Sequence, residues 1–124
     1  MAAASESLGA GGVGFGAGSL PLDEFASRYS CLLAGGWAGE MGFEEAAERL
    51  VAERFTGMVC LSDGEGGELT MAVIDGVVFG AHLYTGVGED VWGWGAVEAL
   101  RGRRVSVQLV PMSVGELLEL AGEV

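Results

Sequence analysis

The chain has 124 residues, half of them apolar, and a formal charge of −12. That length holds one domain with a core of its own. So acidic a surface repels phosphate backbones, which excludes nucleic acid as a partner. All six cations are arginine, so lysine Schiff-base chemistry and a P-loop lysine are excluded as well.

Asparagine is absent, and Gln108 is the single glutamine among 23 glycines. GC-rich coding accounts for the missing asparagine and the many glycines, and selection against heat-labile amides accounts for the missing asparagine and the scarce glutamine. Residues 1–18 are mostly Gly, Ala and Ser, and are expected to form a flexible tail preceding a single domain over 19–124. The tail contains Gly9-x-Gly11-x-x-Gly14. The dinucleotide-binding pattern needs a buried strand before it, which the first eight residues cannot supply, so no cofactor is assigned. No positively charged leader or apolar run of roughly 18 residues is present, so a cytoplasmic protein outside the membrane is expected.

The first helix is expected over 19–34. Ser19 serves as its cap, Pro21 lies in its first turn, and Phe25, Tyr29, Leu32 and Leu33 share one face. Residues 37–42 read as a Gly-rich loop. The clearest amphipathic helix follows over 43–54, with Phe43, Ala46, Ala47, Leu50 and Val51 on its apolar stripe. The period then changes to that of strands over 58–61, 68–74 and 77–84. Ser62 to Gly67 forms the first turn and Asp75-Gly76 a two-residue type I′ turn. Together they predict an antiparallel three-stranded meander. A helix over 89–100, a fourth strand over 103–110 ended by Pro111, and a short helix opened by the capping box Ser113-x-x-Glu116 complete the chain. The fold class is α+β, with helices packed on one face of the sheet.

The reactive residues do not assemble into a catalytic constellation. His82, the only histidine, reads as a strand-packed side chain. Cys31 and Cys60 lie in apolar stretches and read as buried free thiols in a reducing compartment. The carboxylates sit at helix starts and turns, and Asp63-x-Glu65-x-x-Glu68 lacks the full ligand series of a calcium loop. No catalytic, cofactor or metal residue is assigned. The tryptophans point to binding. Trp92 and Trp94, on one predicted helix, stand about 200° apart and cannot share a core. With Trp37 in its loop, at least one indole is expected at the surface. The candidate interaction surface comprises Trp37, Trp92, Trp94, the last-helix residues Leu117 and Leu118, and the basic pair Arg103 and Arg104.

Phe55-Thr56-Gly57, Gly67-Glu68-Leu69, Asp75-Gly76-Val77-Val78-Phe79-Gly80-Ala81 and Gly88-Glu89-Asp90-Val91 resemble the pattern of small regulatory domains of the PATAN/DUF4388 type and the related archaeal DUF2226 group. The resemblance covers residues 55–110. It implies a domain that accompanies prokaryotic signalling proteins and mediates protein interactions, with no catalytic residues to carry over. The expected function is therefore that of a non-enzymatic adaptor, binding another protein or a second copy of itself. A small-molecule-sensing domain and a roadblock/longin-like GTPase-associated scaffold are the alternatives.

Overall fold

The computed structural model describes residues 14–15, 25–29 and 37–122. Seven strands form one sheet: β1 (Gly14–Phe15), β2 (Trp37–Gly42), β3 (Gly57–Ser62), β4 (Glu68–Ile74), β5 (Val77–Tyr84), β6 (Asp90–Trp92) and β7 (Arg104–Pro111). The helices are α1 (Phe43–Ala52), α2 (Trp94–Ala99) and α3 (Val114–Gly122), with a helical turn over 25–28. The strand order is β1-β5-β4-β3-β7-β2, with β6 paired to the remaining length of β5. Every pairing is antiparallel except β1 with β5, where Gly14 and Phe15 meet Val77 and Val78.

The expected meander is β3-β4-β5. Asp75 and Gly76 close its second hairpin with φ of 53° and 80°, both left-handed as a type I′ turn requires. The meander is only the middle of the sheet. Residues 37–42 are not a loop but β2, in register with β7 from Trp37↔Leu109 to Gly42↔Arg104. Two glycines and a short apolar pattern conceal this strand, because β7 rather than local preference makes it extended. The expected helix over 89–100 is also divided. Asp90 to Trp92 pair with Tyr84 to His82, and Gly93, at φ 72°, donates its N–H to the Ala81 carbonyl at 2.9 Å. That bond ties the backbone to β5 where a helix would have continued, so α2 begins only at Trp94.

Helices cover both faces of the sheet, not one. On the first face α1 and α2 bury Phe43, Leu50, Val97 and Leu100 against Val59, Leu61, Leu69, Met71, Val105 and Val107. On the second face a smaller cluster joins Phe25 and Ala26 to Met58, Ala72 and Leu117 of α3. Ser19, Pro21, Leu32 and Leu33 of the expected first helix lie outside the described residues. The capping box forms as expected: Ser113 N–H donates to Glu116 Oε1 at 2.8 Å, and Glu116 N–H to Ser113 Oγ at 3.0 Å. Among the described residues, no helix is long and apolar enough to cross a membrane.

Candidate functional site

The alternation of β5 and β6 places His82, Tyr84, Asp90 and Trp92 on the second face, since His82 pairs with Trp92 and Tyr84 with Asp90. His82 is the one buried polar residue in the described core. Its Nε2 lies 2.6 Å from Asp90 Oδ1, and its ring stands 5.2 Å from the Trp92 indole. The Asp90 bond fixes the imidazole, and the imidazole supports the indole from beneath. Trp92 remains 51% exposed and Tyr84 44% exposed, with Val87 beyond them in the β5–β6 loop. The result is an aromatic edge held by a hydrogen-bonded base and flanked by Glu89 and Asp90.

The other expected interaction residues are dispersed. Trp94, at the start of α2, packs half-buried against the larger core, so β6 and α2 send the two indoles to opposite sides of the sheet. Trp37 opens β2, and its side chain lies outside the described part of the structure. Leu117 is fully buried between α3 and Met58, and so is not a surface residue: α3 turns that side of its apolar stripe inward. Its neighbour Leu118 is 49% exposed. Arg103 binds Asp63 Oδ2 at 3.1 Å and lies 3.8 Å from Glu65, while Arg104 approaches Glu40 at 3.9 Å. Arg103 thus fastens one turn of the domain to another.

The cysteine expectation is overturned. Cys60 is disulfide-bonded, and Cys31, outside the described residues, is the only other cysteine of the chain. The apolar sequence around Cys60 conceals its outward direction on β3, where it faces Thr70 at 3.7 Å. Such bonds persist in oxidising compartments and in the intracellular proteins of hyperthermophiles.

Beside this row, on the same face, lies a half-open cavity of about 540 Å³, with Tyr29, Cys60 and Thr70 among its lining. Burial pushes the Tyr29 hydroxyl above its ordinary pKa, leaving it a neutral hydrogen-bonding group. The sequence signal for this cavity was the interruption of apolar alternation by Ser62, Thr70, Ser106 and Gln108, which no short motif marks. Among the described residues no group of His, Cys, Asp or Glu is arranged to hold a metal ion.

The fold and these sites define an α+β domain with an aromatic edge and a half-open cavity on one sheet face. No family model matches the chain, nor does any curated protein or solved structure.

Proposed function

We propose that the chain is a non-enzymatic interaction domain whose aromatic edge docks a partner protein. The single observation that carries this reading is Trp92, half exposed yet fixed from below by His82. Tryptophan and tyrosine dominate binding energy because they bury a large area at a small entropy cost. A rigid indole beside an exposed tyrosine has already met much of that cost. Glu89 and Asp90 at its rim, with the overall charge of −12, favour a partner whose contacting segment is basic. The likeness to PATAN-type domains points the same way, toward an adaptor in prokaryotic signalling.

A cytoplasmic setting and the disulfide at Cys60 are compatible in a hyperthermophile. The absence of asparagine and the single glutamine fit that setting.

The test is capture from native lysate with wild type, Trp92→Ala and Leu118→Ala, each first shown to be folded by its thermal melt. The proposal expects a stoichiometric partner that Trp92→Ala loses and Leu118→Ala retains. A partner retained by Trp92→Ala, or no partner at all, removes the aromatic edge as the docking site.

A further inference from the structure

The four side chains of the aromatic edge occupy the corners of one small parallelogram. His82 and Tyr84 stand along β5, and Trp92 and Asp90 face them along β6. Residues two apart on a strand share a side, so all four project from the second face. One diagonal of the figure is closed, since His82 Nε2 and Asp90 Oδ1 lie 2.6 Å apart. The other diagonal joins Tyr84 to Trp92, and both of these aromatics are exposed. The closed diagonal therefore runs between the two rings. It forms the floor of a slot whose walls are a phenol and an indole.

Diagonal partners in an antiparallel pair stand roughly 7–8 Å apart. A flat group touching a ring on either side needs two contacts of about 3.5–4.0 Å, which is the same distance. The indole wall is firm, because the imidazole supports it with ring centroids 5.2 Å apart. The floor carries charge. Asp90 meets His82 through one oxygen and keeps the other, its side chain partly exposed. Glu89, the exposed residue before it, adds a second carboxylate at the rim. Arg49, Arg54, Arg101, Arg103 and Arg104 all pair with carboxylates elsewhere, so none of these five serves Asp90. An apolar side chain laid into the slot would strip water from the Asp90 carboxylate and offer no hydrogen bond in return. A cation supplies a charge-assisted hydrogen bond and is drawn to the ring faces as well.

We infer, on the docking role proposed above for this edge, that the slot takes an arginine side chain from the partner's basic segment. Its guanidinium stacks between Tyr84 and Trp92, and its N–H edge donates to Asp90 Oδ2. Arginine suits the slot better than lysine, because a guanidinium is planar and weakly hydrated whereas an ammonium is a compact, strongly hydrated point charge.

The test titrates the full-length protein with three acetylated tripeptide amides: Gly-Arg-Gly, Gly-Lys-Gly and Gly-citrulline-Gly. Salt at about 150 mM screens diffuse attraction to the acidic surface. The readout is the Trp92 indole N–H resonance in proton–nitrogen correlation spectra, assigned by its loss in Trp92→Phe. A saturable shift is expected with the arginine peptide, about threefold or more tighter than with lysine, the ratio that goes with an exposed cation–π contact. Citrulline, which keeps the plane and lacks the charge, should not saturate. Tyr84→Leu keeps apolar bulk at an exposed position and should abolish the preference for arginine, while Glu48→Gln on α1 should preserve it. Equal binding of arginine and lysine, no saturation with arginine, or a preference that survives Tyr84→Leu would overturn the arginine slot. The peptide comparison needs no variant, so it decides the matter even where a substitution disturbs folding. Where Trp92-dependent capture of a partner holds and the arginine peptide fails, the slot alone falls. Where arginine binds selectively and capture fails, the slot stands and the docking role falls.

Discussion

Gly57 sits where β3 leaves the Phe55-Thr56-Gly57 turn, at φ 146°, and a Cβ built there would lie 2.1 Å from the Val110 carbonyl oxygen. The close approach is what lets β3 pair from its first residue with Pro111, the last residue of β7. Gly57→Ala combines backbone strain with a clash against main chain, so it should cost roughly 2–4 kcal/mol, read as a lower denaturant midpoint. Asp63 acts through hydrogen bonds. Its Oδ1 accepts the N–H groups of Glu65 at 2.7 Å and Gly67 at 2.9 Å, and its Oδ2 meets Arg103 at 3.1 Å. The Glu65 N–H is the main reason its pKa lies below the ordinary carboxylate value; Gly67 and Arg103 add to the effect against an opposing contribution from burial. A carboxyl whose folded pKa is depressed stabilises the fold above its unfolded value. That stabilisation, present above about pH 4, should fade as pH falls through the lower folded value. Asp63→Asn keeps an acceptor but has no charge to lose, so its stability should fall less steeply with acid than that of wild type in parallel denaturant melts. The Asp63 turn was legible in the sequence as a turn; its link to Arg103, forty residues away, was not.

At the scale of elements, α3 and the β6–α2 segment show how far local pattern reaches. The capping box set the start of α3 correctly, because both of its bonds lie within four residues. The side α3 buries depends on Met58 and Phe25, which no window around α3 contains. Leu117→Ala should cost about 2–5 kcal/mol by emptying a fully enclosed site, whereas Leu118→Ala, half exposed, should change stability by less than about 0.5 kcal/mol. Thermal or denaturant melts of the two variants check the assignment of the buried side. In the β6–α2 segment, apolar residues at helical spacing predicted one helix, but the free edge of β5 recruited Asp90 to Trp92 as a strand. That recruitment exposes Trp92 while Trp94 turns inward, so the expectation of one exposed indole held although the element carrying it did not.

For the whole molecule, the sheet is clamped by helices on both faces and by the disulfide at Cys60 on its central strand. Reducing that bond should lower stability by about 2–4 kcal/mol, the usual worth of a disulfide in a small domain. Denaturant melts with and without dithiothreitol test this directly. A melt unchanged by reduction would mean that the cross-link constrains little of the unfolded chain.

The sequence by itself determined the α+β class, the β3-β4-β5 meander, its type I′ turn, the amphipathic α1 and the capped start of α3. Each rests on periodicity or on hydrogen bonds between residues a few positions apart, which local chemistry dictates. Only the tertiary structure decided that residues 37–42 form an edge strand, that Trp92 and Trp94 part company, that Leu117 is core, that Cys60 is bonded, and that the His82–Asp90 pair lies between Tyr84 and Trp92. Those features depend on strand order and register, which bring together residues up to 72 positions apart along the chain, as Trp37 and Leu109 are. Such pairings are set by the burial of the whole sheet and leave no mark in any short stretch of sequence.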